Sequence, residues 1–101
     1  AAQAIPDYVA LPETPYELLG GGKQGYLLAS ISFKTTQRET VERLMPEIRA
    51  VTQAYIRELS PGDLKGATGL YRLKRDCLHR ARKIAGAAAV DDVFITDIVI
   101  Q

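Results

Sequence analysis

An apolar stripe with helical spacing between Val41 and Leu59 constrains the fold of this chain more than any other feature. Its large side chains recur three or four positions apart, and charged residues of both signs lie between them. Burying each one contributes about 1.5 to 3 kcal/mol, so this helix is expected to supply the largest share of the core. Because the stripe keeps its phase across Pro46, we predict a kink there rather than a helix end, with one backbone hydrogen bond missing near Glu42.

Residues 26–34 precede this helix and alternate between apolar and polar side chains, which predicts a half-buried strand. The glycine-rich segment 20–25 predicts the reversal of a hairpin that leads into the strand. Thr36 is followed three residues later by Glu39, a spacing that predicts a capping box at the start of the long helix.

The residues after the long helix predict a short turn that Ser60 opens and Gly66 closes. Thr68 is then expected to cap a second amphipathic helix over residues 69–85, which Gly86 ends.

The last segment, residues 93–100, is rich in β-branched side chains at both odd and even positions. This pattern predicts a strand covered on both faces, either central in the sheet or buried in a partner. The order of elements predicts an α+β fold, in which a small antiparallel-type sheet packs against a long kinked helix and a second helix. Residues 1–12 are interpreted as an N-terminal linker and edge strand, and residues 13–101 as one domain.

Composition limits the classes of protein to which the chain can belong. The 101 residues are 47% hydrophobic and 25% charged, with a net charge of +1, as expected for one water-soluble domain. No apolar stretch is long enough to span a membrane. A single cysteine, Cys77, excludes an intramolecular disulfide. Because the chain starts at Ala1 without Met, we expect a processed or excised domain from which any upstream anchor or targeting segment has been removed.

The sequence shows no grouping of residues that favours catalysis, a cofactor or a metal. Lys23 follows the glycines, but a strand rather than a helix comes next, so a phosphate loop is disfavoured. Cys77 and His79 lie two positions apart on a helix and cannot face each other, so Cys77 is interpreted as a core residue and His79 as solvent-exposed. Asp91 and its neighbour Asp92 point to opposite sides of a strand. The residues themselves therefore give catalysis no support.

Charge is concentrated on the second helix. Only Asp76 opposes its six basic residues, which are Arg72, Lys74, Arg75, Arg80, Arg82 and Lys83. Such a face fits a phosphate backbone, an acidic protein patch or a neighbouring copy, or it is simply solvated. A small nucleic-acid-binding α+β module that uses helix 69–85 is therefore kept as an alternative function.

In the order and spacing of its elements, the chain resembles the extracytoplasmic domain of the FliL family, the flagellar basal-body-associated proteins. Segments over nearly the whole chain carry the resemblance: YVALP (8–12), YLLASISFK (26–34), LMPEIR (44–49), SPGDL (60–64), GLYRLK (69–74) and VFITDIVIQ (93–101).

The resemblance implies a non-enzymatic periplasmic domain with a stomatin-like (SPFH) fold, held in the inner membrane by an N-terminal helix absent from this chain. It also implies a homo-oligomeric ring around the stator proteins MotA and MotB at the flagellar basal body, which supports torque and swarming without binding nucleic acid. From charge and edge exposure we select candidate protein-contact residues, and we expect reversal of Arg75 and Arg82 to Glu to impair assembly. The candidates are Tyr8, Val9, Arg72, Arg75, Arg80 and Arg82.

Overall fold

The computed structural model describes residues 5–22 and 24–101. The start of the predicted linker, and Lys23 of the glycine-rich segment, lie outside the described residues. Six main elements follow one another: β1 (Asp7–Ala10), β2 (Tyr16–Leu18), β3 (Gly25–Thr35), α1 (Arg38–Arg57), α2 (Gly66–Ala85) and β4 (Asp92–Ile100).

Strand β3 is the centre of a four-stranded antiparallel sheet, because it pairs with each of the other strands. Along one edge, β1 pairs with its C-terminal part and β2 with its N-terminal part. Along the other edge, β4 pairs with it from Leu27 to Lys34. This arrangement confirms the predicted α+β fold with a small antiparallel sheet.

The two helices pack side by side on one face of this sheet. Helix α1 contacts β1 and β2, and α2 contacts β4. The alternating pattern of β3 is confirmed, since its odd-numbered residues supply most of its contribution to the core. Fully buried side chains that meet between the layers include Leu27, Ile31 and Phe33 of β3, Val41, Ile48 and Ile56 of α1, and Leu73 of α2.

Helix α1 runs without interruption through Pro46, as the continuous apolar stripe predicts. The kink at this proline stays a prediction. The prediction of a capping box between Thr36 and Glu39 is wrong. The helix begins at Arg38, and Gln37 at its N-cap makes no side-chain capping bond. The buried Thr35 hydroxyl instead accepts the backbone N–H of Gln37 at 2.8 Å.

The connection between the helices is a short 3-10 turn, Pro61–Leu64, with a reciprocal capping box between Ser60 and Asp63. Helix α2 then begins at Gly66 rather than after a Thr68 cap, because Lys65 is extended and already serves as the N-cap. Gly66 is therefore the first helical residue and not only the end of the turn. Gly86, with φ of 95°, ends α2 as predicted.

The predicted hairpin is confirmed, since β2 and β3 are antiparallel and the glycine-rich turn connects them. Gly20 lies against the end of α1, and its N–H donates to the carbonyl of Leu59 at 3.0 Å. A Cβ at Gly20 would lie 2.3 Å from the carbonyl oxygen of Glu58, so only glycine fits this close approach.

Strand β4 is not central in the sheet, which corrects that part of the prediction, whereas its burial in a partner stays a prediction. In the described part of the chain it pairs with β3 alone and is therefore an edge strand. Its register shifts between Leu28 and Ser30 of β3, where Asp97 of β4 adopts a left-handed conformation with φ of 55°. The extra residue changes the phase of the alternation, so the residues that face the helices are Val93, Ile95, Ile98 and Ile100.

Candidate protein-contact surfaces

The basic residues predicted to form one charged face on α2 have different environments. Arg72 and Arg75 are exposed, whereas Arg80 and Arg82 are half-buried.

Arg80 belongs to a polar cluster where α2 packs against α1. The Tyr55 hydroxyl donates a 2.6 Å hydrogen bond to the Asp76 carboxylate, and the Arg80 guanidinium lies 4.0 Å from the centre of the Tyr55 ring. Burial, followed by the bond to Asp76, raises the pKa of the Tyr55 hydroxyl. Burial also acts to raise the pKa of Asp76, but hydrogen bonds from Tyr55 and Arg75 outweigh it and hold that pKa below 3.8. The charge of Arg80 is thus engaged within the chain.

Arg82 connects α2 to the segment that enters β4. Its Nε donates to the carbonyl oxygen of Val90 at 2.8 Å, and its Nη2 donates to that of Asp91 at 3.0 Å. Both carbonyls belong to a connection without regular secondary structure, so Arg82 supplies partners that a helix or sheet would otherwise provide. This arginine has an internal structural role.

Of the four arginines selected as contact candidates, Arg72 and Arg75 remain available to another molecule. The Arg75 Nε lies 3.2 Å from a carboxylate oxygen of its neighbour Asp76, a contact that leaves most of the guanidinium in water. Arg72 lines a 220 Å³ cavity between the helices, together with Asp63 and Asp76. The structure therefore brings Arg72, Arg75, Asp63 and Asp76 to one region and places Arg82 elsewhere.

The edge-strand candidates in β1 also separate into an exposed and a buried residue. Tyr8 is 50% exposed, whereas Val9 is 6% exposed and belongs to the core. The Tyr8 ring packs edge-to-face on Phe94 of β4, with ring centres 5.5 Å apart. Val9 can therefore offer a partner its backbone but not its side chain.

Several exposed apolar side chains were not among the sequence-based candidates, and three of them are Tyr71, Phe94 and Val99. Phe94 and Val99 lie on the sheet face opposite the helices, at 40% and 48% exposure, and Tyr71 of α2 is 66% exposed. Tyr71 lies outside the apolar stripe of α2 and among basic residues, a pattern that could have identified it from the sequence. Phe94 and Val99 could be recognised only by allowing the alternation to change phase at Asp97.

Other chemistry has little support among the described residues. Within residues 5–22 and 24–101, no group of three Asp, Glu, His or Cys side chains could hold a metal. Burial raises the pKa of the Cys77 thiol to about 12, so this core cysteine is a poor nucleophile. His79 is exposed, as predicted. None of the helices in these ranges has both the length and the apolar character needed to span a membrane.

Comparison with known proteins identifies the family. A family profile described as "Flagellar basal body-associated protein FliL" matches residues 8–101. Curated proteins named "Flagellar FliL protein" from two strains of Caulobacter vibrioides are 31% identical over 100 residues, which is 96% of this chain. The chain spans about half the length of these relatives, 46% in each case. The resemblance found in the sequence is confirmed, and the chain belongs to the FliL family of flagellar basal body-associated proteins.

Proposed function

We propose that this chain is the periplasmic domain of a non-enzymatic scaffold at the flagellar basal body. In this proposal an N-terminal helix outside the chain holds it in the inner membrane. Copies form a ring around the stator proteins MotA and MotB and support torque during swimming and swarming. The family match over residues 8–101 is the observation that carries the proposal.

Surface chemistry adds support for a role in protein contacts. Tyr71, Phe94 and Val99 remain exposed although they are large and apolar, as is common at sites where proteins meet. Arg72 and Arg75 lie on the same helix as Tyr71, and arginine is enriched at protein interfaces. A ring requires heterologous contacts with a rotation that closes, so two different surfaces of each copy would be used.

A nucleic-acid-binding role gains no specific support from the arrangement of the basic residues. Arg80 stacks on Tyr55, and Arg82 bonds backbone carbonyls, so these two cations are not free to follow a phosphate backbone. We therefore retain the scaffold as the proposed function.

Complementation of a deletion strain tests the scaffold proposal. The strain would receive the full-length gene with wild-type sequence, with Arg72→Glu and Arg75→Glu together, or with the control pair Arg43→Glu and Arg57→Glu. All four arginines are exposed, and the control pair changes the same charge on α1.

We expect the α2 pair to reduce motility in soft agar and the number of fluorescent MotB foci at flagellar motors, with the control pair close to wild type. Urea unfolding of the purified chains would verify that each variant is folded. Normal motility and normal foci in the deletion strain itself would refute the proposed function.

A further inference from the structure

Within residues 5–22 and 24–101, no strand pairs with the outer edge of β4 between Asp92 and the bulge at Asp97. In the described part of the chain this strand pairs with β3 on one side only. An unpaired edge presents backbone N–H and C=O groups that can bond another extended segment. Natural sheets usually protect such an edge with lysine, proline or a bulge. Here the bulge protects the end at Asp97, but the intervening Val93, Phe94, Ile95 and Thr96 carry none of these devices.

An apolar groove of about 280 Å³ follows the same stretch. Consecutive residues of β4 line it, from both faces of the strand, so the groove runs along the strand edge rather than over one face. Leu70, Leu73 and the strongly exposed Tyr71 of α2 form its other wall. Its volume is below the ~300–1,000 Å³ of sites that enclose a drug-sized ligand, so it suits a few side chains of a peptide.

Lys74 gives this groove a positive charge. Among the described residues that line the groove, Lys74 alone has a charged side chain. Its Nζ lies 5.6 Å from the centre of the Phe94 ring and 3.5 Å from a carboxylate oxygen of Asp92. Lys74 is 44% exposed, so a carboxylate from outside can approach it. An acidic side chain of a partner therefore complements Lys74.

We propose that β4 and α2 bind an extended segment of a partner protein, which adds a fifth strand beside Val93–Thr96. The segment alternates apolar and polar side chains. The apolar side chains fill the groove, and one of the polar side chains is a carboxylate that contacts Lys74. This inference supplies a partner class for the scaffold function proposed above and rests on it. Its test is binding by the isolated chain, whereas motility tests the scaffold, so either proposal can fail while the other stands.

The probe is the synthetic peptide acetyl-Val-Thr-Val-Glu-Val-Thr-Val-amide, titrated into the ¹⁵N-labelled 101-residue chain. We expect amide shifts in ¹H–¹⁵N spectra to concentrate at Val93–Thr96 and at Leu70–Lys74. Two further peptides carry N-methyl groups on alternate backbone nitrogens. In one peptide the methyl groups block the N–H groups along one edge, and in the other they block those along the opposite edge. Because only one peptide edge pairs with β4, we expect one methylated peptide to lose binding by at least about tenfold and the other to bind like the parent.

Charge is tested with Lys74→Glu and with a peptide in which Lys replaces Glu. We expect Lys74→Glu to weaken binding of the Glu peptide about fivefold and to strengthen binding of the Lys peptide by a similar factor. Lys83→Glu makes the same change at an exposed position outside the groove and should leave both affinities unchanged. The spectrum of each variant verifies its fold, and the methylated peptides test strand addition without any substitution in the chain.

Several outcomes would overturn this inference. They are failure of the parent peptide to bind at about 1 mM, the same affinity for both methylated peptides, and shifts located away from β4. If instead the chemical shifts of the β4 amides change as the chain is concentrated without any peptide, a second copy of the chain occupies the groove. The partner-segment proposal is then wrong.

Discussion

Replacing Arg82 by Met should lower the free energy of unfolding by about 2 kcal/mol. The substitution keeps an apolar stem but removes both hydrogen-bond donors. Nε reaches the carbonyl of the fully buried Val90, and Nη2 reaches that of the exposed Asp91. A shielded bond from a charged donor contributes about 1.5 kcal/mol, and an exposed one about 0.5 kcal/mol. Together these values give the expected loss.

Urea unfolding followed by far-UV circular dichroism would measure this loss. With a slope of about 1 to 3 kcal/mol per molar urea, the midpoint should fall by about 1 M. The control is Lys83→Met, because Lys83 is the next residue, is exposed, and has a side chain that makes no hydrogen bond or ion pair within the described ranges. It should change stability by less than about 0.5 kcal/mol. A loss for Arg82→Met no greater than that of Lys83→Met would show that the two carbonyl bonds do not anchor α2 to β4.

Three further predictions concern the helix interface and the core. Asp76→Asn should destabilise the chain by about 1 kcal/mol near neutral pH. The pKa of Asp76 in the folded chain lies below its ordinary value, so the ionised carboxylate stabilises the fold above that ordinary value, and this stabilisation is lost as the pH falls. Urea unfolding at pH ~3 and ~6 should show that the stability difference between the wild-type chain and Asp76→Asn shrinks in acid. Gly69→Ala should destabilise the chain by about 2 kcal/mol or more, because the new Cβ would lie 2.5 Å from the carbonyl oxygen of Asp63. Gly62→Ala is the control, since its Cβ would lie 3.6 Å from its nearest neighbour, the Ser60 hydroxyl oxygen. Equal melting temperatures for the two variants would refute the packing argument. Cys77 should react with a thiol reagent only as the chain unfolds, since it is buried and its pKa is raised to about 12, and rapid labelling without denaturant would contradict this burial.

The sequence predicted those parts of the fold that depend on periodicity. The stripe of α1 and the alternation of β3 each persist over many residues, so a local change at Pro46 does not obscure them. The helix starts were less predictable. Thr36 and Glu39 have the spacing of a capping box. The neighbouring Thr35 is buried at the end of the strand, however, and its hydroxyl oxygen accepts the Gln37 N–H instead. Competition between adjacent hydroxyls depends on burial, which spacing alone does not specify.

The candidate site was harder to predict for two physical reasons. The charge of Arg82 is evident in the sequence, but its bonds to Val90 and Asp91 depend on how the chain turns after Gly86. The free edge of β4 was missed because a strand that is apolar at odd and even positions resembles one covered on both faces. A single left-handed residue, Asp97, contributes to that pattern by changing the phase, and aspartate tolerates the conformation better than most residues. Phe94 and Val99 add apolar side chains on the face opposite the helices.

The central position of β3 also has a consequence for how the chain is made. Synthesis proceeds from the N-terminus, so β1, β2 and β3 can pair while the chain that forms α1, α2 and β4 is still being produced. During this interval the edge of β3 that later receives β4 is unprotected. The partner of Leu27, Ile100, lies about three quarters of the chain length further on, so this long-range contact forms slowly. The nascent protein is therefore most exposed to aggregation just before its last strand is complete.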